Sequence, residues 1–163
     1  MSKGILYIFC GKMASGKSTL AKKISQQKSA VLISEDEMLG KLFSGEITDV
    51  PSYVQCSGKL KSAMQPILVN LLKTGTSVVL DFPANTIDQR KWMKDIVDEA
   101  SALNEFHYLE RSNEVCKAQL SERAAKEPER RGTDTPEMLD AISQYFEPPA
   151  SEEGFKLITH KSE

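Results

Sequence analysis

The run Gly11-Lys12-Met13-Ala14-Ser15-Gly16-Lys17-Ser18 has the spacing G-x-x-x-x-G-K-[ST], and each residue type in it has a task in holding a polyphosphate. Glycines let the backbone curl so that successive N–H groups converge on phosphate oxygens. Lys17 supplies a mobile positive charge for the β- and γ-phosphates, and Ser18 offers a hydroxyl to Mg²⁺. The nucleotide-binding set read from this run is Gly11, Lys12, Met13, Ala14, Ser15, Gly16, Lys17, Ser18 and Thr19. Average residue usage gives a chance match on the order of once in two hundred chains of this length. A second candidate is Asp81, which closes the apolar run Ser77-Val78-Val79-Leu80 and stands where a carboxylate would orient Mg²⁺ together with Ser18. A strand-end aspartate also serves as a turn or cap residue.

A phosphate loop works only between a strand and a helix, and the flanking residues supply both. Ile5 to Cys10 is a short apolar run stopped by glycine, as a buried strand requires, and Leu20, Ala21 and Ile24 then recur at helical spacing from Lys17 to Gln27. The helix adds the positive end of its dipole to the loop. Further strands are expected at 30–33, 76–80, 106–109 and 155–158, and helices after Glu35-Asp36-Glu37 and at 60–73, 90–102, 114–126 and 136–146. Residues 44–57 carry Gly, Pro, Ser and Asp without a period and read as a loop or lid. Pro66 either starts its helix or kinks it.

Short strands alternating with helices imply βαβ units, a mostly parallel sheet covered on both faces, and a ligand site beyond the carboxyl ends of the strands. That places residues 34–36, Asp81 and Glu110-Arg111 near the loop. At 163 residues the chain reads as one domain, 1–163. Its net charge of -2, with both signs interspersed, gives no electrostatic reason to expect non-specific nucleic-acid or membrane binding. Cys10, Cys56 and Cys116 are far apart and form no C-x-x-C pair, which suits free thiols in a reducing compartment. Without a signal-peptide core or a run of about 20 apolar residues, the expected location is cytoplasmic.

The chain resembles the small P-loop kinases that include polynucleotide 5′-kinase, the zeta toxins and chloramphenicol phosphotransferase. The resemblance rests on GKMASGKS, ISEDEM, VVLDFPANTIDQRKW, HYLERSNEVCKAQLSER and YFEPPASEEGF, and so spans nearly the whole sequence. It implies a three-layer P-loop NTPase fold with a parallel five-stranded sheet in the order 2-3-1-4-5, helices on both faces and a helical lid, here about 123–135. It also implies Mg²⁺-ATP as phosphate donor. Asp36 matches the aspartate that takes the proton of the attacking hydroxyl, and Arg123, Arg130 and Arg131 match the lid arginines. Two positions depart from the group: Gln119 and Glu35 stand where arginines are common, and both departures weigh against a nucleic-acid acceptor.

The expected function is therefore transfer of the γ-phosphate of ATP to a hydroxyl of a small molecule, by a monomer or homodimer, with Lys17, Asp36, Arg123, Arg130 and Arg131 as the catalytic set. Alternatives are an ATP-binding regulatory protein or weak ATPase, and a polynucleotide 5′-hydroxyl kinase. Asp36 also reads as a helix N-terminal acid, which Glu35 and Glu37 illustrate equally well. The arginines also read as a solvated surface among Glu122, Glu127 and Glu129. Asn85 and Arg90 either line the acceptor pocket or belong to the helix start, where Asn85-Thr86 would cap it. Tyr53 and Cys56 are weaker acceptor-side candidates, Trp92 and Met93 read as core, and His107 and His160 as strand residues without a catalytic part.

Overall fold

The computed structural model describes residues 2–127 and 135–161. Five parallel strands, β1 (Ile5–Cys10), β2 (Val31–Ser34), β3 (Val78–Asp81), β4 (Leu103–Glu110) and β5 (Leu157–Lys161), form one sheet in the order β2-β3-β1-β4-β5. Six helices connect them: α1 (Lys17–Gln27), α2 (Glu35–Leu42), α3 (Val50–Lys73), α4 (Ile87–Ala100), α5 (Asn113–Lys126) and α6 (Pro136–Ser143). The fold class and strand order agree with expectation.

The central strand explains why the sheet reads as unbroken apolar runs. Leu6, Ile8 and Cys10 of β1 face a core shared with Leu60, Leu68, Met93 and Ile96 of α3 and α4. Tyr7 and Phe9 point the other way, to Ala21 and Ile24 of α1. With both faces covered, alternation gives way to continuous hydrophobicity. Trp92 and Met93 belong to this core, Met93 fully and Trp92 partly, stacked on Phe82 at 5.5 Å.

One expectation fails in α3. Its 24 residues begin at Val50, so 50–57 are helix rather than loop, and of the two readings of Pro66 the one near the helix start drops out, since it lies in the interior. The start is fixed by a capping box between Asp49 and Ser52, with Pro51 in the first turn, where a missing N–H costs nothing. Pro66 sits on the exposed side, which leaves the carbonyl of Ser62, deprived of its N–H partner, to solvent. Glycine and β-branched residues hid the helical period. The remaining elements differ from expectation by up to three residues at their ends, as at β4, which runs from Leu103 rather than 106. Among the described residues no helix is long and apolar enough to cross a membrane.

Candidate nucleotide and acceptor site

Between β1 and α1 the backbone curls through two left-handed residues, Ala14 (φ 61°) and Gly16 (φ 100°). Alternation of this kind turns backbone N–H groups inward on one side, making an anion cradle. Gly16 is also the N-cap of α1, and its conformation suits only glycine. Gly11 is required for a different reason: a Cβ there would lie 2.5 Å from Ser15 Oγ and 3.2 Å from the Leu109 carbonyl oxygen.

The residues of this loop do not all face the same way. Ser18 Oγ donates to Asp81 Oδ2 at 2.9 Å, which joins the first turn of α1 to the end of β3. Lys12 Nζ donates to Asn113 Oδ1 at 3.0 Å and lies over the Phe146 ring, while Met13 and Ala14 pack against Cys116, Leu120 and Leu139 of α5 and α6. Ser15 turns its hydroxyl under the loop, where it is buried without a partner, and Thr19 is exposed. Lys17 is pushed below the usual lysine range by burial, against the opposing pull of Cys10, Asp81, Asp36 and Glu35. The Cys10 thiol is raised by burial to about 11, which favours the neutral thiol over the thiolate.

Asp36 is exposed in the first turn of α2, which Ser34 caps by accepting from the Glu37 N–H. Its strand, β2, is not the neighbour of β1; β3 lies between, so Asp36 stands one strand beyond Asp81. The charges of Asp81 and Asp36 nevertheless both reach Lys17. Arg123 lies in the last turns of α5 and is half-buried. Arg130 and Arg131 lie outside the described residues, as does most of the expected lid.

Three residues take roles that the sequence did not assign. Asn85 caps nothing: its Oδ1 accepts the Gly11 N–H at 3.0 Å, holding the entrance of the phosphate loop, while Thr86 caps α4. Arg90, a candidate pocket residue, is buried instead. It pairs with Glu153 at 2.7 Å and donates to the carbonyls of Ala84 and Pro148, so it ties the 148–153 segment to the β3–α4 turn. Glu35, a presumed dipole residue, is 2% exposed and accepts from Tyr53 Oη at 2.5 Å and Ser57 Oγ at 2.8 Å. Burial and then Glu35 push the Tyr53 phenol far above its usual range. Cys56, by contrast, is buried in the core. Phosphate-loop spacing is a local signal, but nothing local marks a glutamate that meets hydroxyls on another helix.

Ser18 and Asp81 offer two hard oxygen donors beside the loop, which fits Mg²⁺, an ion that keeps waters and takes one or two protein oxygens. Two clefts of about 220 and 380 Å³ open beyond the ends of β4 and β5, lined among others by Lys12, Tyr108, Glu110 and Arg111.

A phosphate loop at the end of a central parallel strand, joined to a carboxylate on the next strand, defines a P-loop nucleotide-binding protein with the fold of the P-loop kinases. The chain belongs to the AAA domain family, whose model matches residues 6–149. Its fold is similar to that of a candidate kinase from Chloroflexus aurantiacus J-10-fl, with TM-score 0.74 and 20% identity over 99% of this chain and 86% of the other. Mycobacterium tuberculosis APS kinase, solved in complex with AMPPNP and APS, gives TM-score 0.66 and 14% identity over 99% and 90% of the two chains. Chaetomium thermophilum Kti12 in complex with ADP-AlF3 gives TM-score 0.66 and 16% identity over 96% and 88%. No curated protein matches by sequence.

Proposed function

We propose that this protein is an ATP-dependent phosphotransferase that moves the γ-phosphate to a hydroxyl of a small molecule. The observation that carries the proposal is the convergence of Lys17, Ser18, Asp81 and Asp36 at the carboxyl ends of three strands. Phosphoryl transfer asks for positioning and charge neutralisation more than covalent chemistry. The loop amides and Lys17 hold the β- and γ-phosphates in line. Ser18 and Asp81 would hold Mg²⁺, which when bound offsets the charge on the phosphate oxygens. The clefts beyond β4 and β5 leave room for the nucleoside end on the side away from Asp36.

Asp36 accepts the proton of the attacking hydroxyl as the oxygen–phosphorus bond forms, and the bond from phosphorus to the bridging oxygen breaks to release ADP. Arg123, with Arg130 and Arg131 of the proposed lid 123–135, would neutralise charge on the transferring group. The nucleotide complexes of APS kinase and Kti12, which share the fold, support ATP as donor.

Incubating the protein with γ-labelled ATP and a panel of hydroxyl compounds tests the proposal. Labelled product from one of them is the expected result, and Asp36→Asn should abolish it while ATP affinity stays nearly unchanged. Tight ATP binding with no labelled product from any acceptor would reject transfer in favour of a regulatory role, and full transfer by Asp36→Asn would reject the base.

A further inference from the structure

The acceptor side of the cleft is anionic by construction. Both oxygens of Glu35 accept hydrogen bonds from hydroxyl donors, Tyr53 on one and Ser57 on the other. Two hydroxyl donors, one on each oxygen, make a pattern that a carboxylate satisfies as acceptor. Hydroxyls satisfy the lone pairs of a carboxylate but do not cancel its charge. Among the described residues no ion pair reaches Glu35. Asp36 follows on the same first turn of α2, and Glu37 is paired with Lys41, its exposed i+4 partner, with Lys22 adding a weaker pull.

Among the described residues, the cations that act on Glu35 and Asp36 are Lys17 and Lys61. The first belongs to the triphosphate. The second, one turn beyond Ser57 on α3, has its ammonium over the Trp92 ring at 5.4 Å and is pushed down by burial, with Glu35 opposing. Once Lys17 is engaged, Glu35 and Asp36 outweigh Lys61 on this wall. An acceptor bearing phosphate or carboxylate would meet like charge, the repulsive element by which a site rejects a partner.

We propose that Glu35, clamped by Tyr53 and Ser57, is a specificity-determining residue that restricts the acceptor to an uncharged or amine-bearing hydroxyl compound, a polyol or an amino alcohol, and excludes anionic ones. This rests on the assignment of Asp36 to the acceptor side. Glu35 itself is buried and acts through its field and through the tie it makes between α2 and α3.

The local potential can be read directly, without an acceptor. Relaxation of backbone amide protons by a cationic and an anionic nitroxide of equal size is compared in the nucleotide-free Lys17→Ala protein, which removes the charge of Lys17 without putting a triphosphate in its place, at low salt, where screening is weakest. The amides of residues 36–38 and 53 should relax several-fold more with the cationic probe, as surface potentials of this origin imply. Equal relaxation, or an excess with the anionic probe, overturns the proposal. Glu35→Gln should shrink the cationic excess there and leave the amide of Ile158 unchanged; an undiminished excess removes Glu35 from the account. The Lys17→Ala comparison decides even where the protein that also carries Glu35→Gln does not fold. In the labelled-ATP screen, product from glycerol or 2-aminoethanol supports the proposal, and product from glycerol 3-phosphate or a 5′-hydroxyl oligonucleotide overturns it. A screen with no product at all counts against the kinase assignment, while the measured potential still decides the sign of this wall.

Discussion

On the proposed phosphate side of the cleft, the candidate residues are consecutive, Gly11 to Ser18, on one turn between β1 and α1. On the proposed acceptor side, Glu35 meets Tyr53 and Ser57 across 18 and 22 residues of chain and two helices. The phosphate loop binds through backbone N–H groups, so its shape depends on φ and ψ and tolerates many side chains at its variable positions. The acceptor wall depends on which side chains happen to meet. A fold can thus keep its donor site while its acceptor changes, because the two walls draw on different parts of the sequence.

The largest expected effect tests the phosphate wall. Lys17→Ala should lower phosphate transfer by roughly 10² to 10³, as loss of one preorganised charge at a reacting group does, and should weaken ATP binding in calorimetry. Unchanged affinity and turnover would remove the assignment of the loop. The corresponding change on the other wall is Tyr53→Phe, which strips Glu35 of one of its two donors. Loss of a hydrogen bond to a buried charge costs about 2 kcal/mol, read as a lower denaturant midpoint with unchanged slope. ATP affinity should be nearly unaffected. A fall in ATP affinity as large as that of Lys17→Ala would mean that the two walls are not separable.

Asn85→Leu should give a smaller effect that reaches the phosphate wall from outside the motif. It leaves the Gly11 N–H without its acceptor, at a cost of about 1 to 2 kcal/mol in stability. It should weaken ATP binding as well, since that N–H fixes the entrance of the loop. Asn85→Asp keeps an acceptor oxygen and should lose less of both. Equal losses for the two variants would show that the Gly11 contact is not what matters.

What could be read in the sequence follows the same division. β1, the phosphate loop and α1 were legible to the residue because glycine spacing, an apolar run and a helical period sit side by side. The end of β3 at Asp81 was legible because an apolar run stops there at a carboxylate. The start of α3 was not, since its capping box uses Asp49 and Ser52 amid Gly, Pro and β-branched residues, and tertiary packing of Leu60, Leu68 and Leu72 outweighs local propensity. Glu35 read as a helix N-terminal acid and Arg90 as a pocket or helix-start residue, because the local sequence does not show partners 22 and 63 residues away. Asn85 is intermediate: the turn was visible, but not the loop that its side chain would reach.

A control for both walls lies between β4 and β5. His107 is buried, stacked on Phe9 at 5.3 Å, with Nδ1 2.9 Å from His160 Nε2 and Nε2 3.2 Å from Glu105 Oε1. If the Nε2–H donates to Glu105, the neutral ring accepts from His160, and a proton added at Nδ1 would set two donors face to face. Burial and then the charge of His160 hold His107 below the ordinary histidine pKa, and Glu105 opposes them only in part. The folded state therefore keeps this ring neutral at a pH where the unfolded chain has begun to bind the proton. The stability it contributes is complete above the unfolded value of about 6.5 and is lost as pH falls below it, with a slope of at most about 1.4 kcal/mol per pH unit. Carboxylates of ordinary pKa titrate lower and stay out of this window. Denaturant midpoints taken between about pH 7.5 and about pH 5.5, either side of that value, should decline on acidification in the wild type and much less in His107→Gln. ATP affinity of the variant at neutral pH should match the wild type, since the ring touches neither wall. A flat or rising midpoint on acidification, or the same decline in His107→Gln, would take the pH dependence away from this pair.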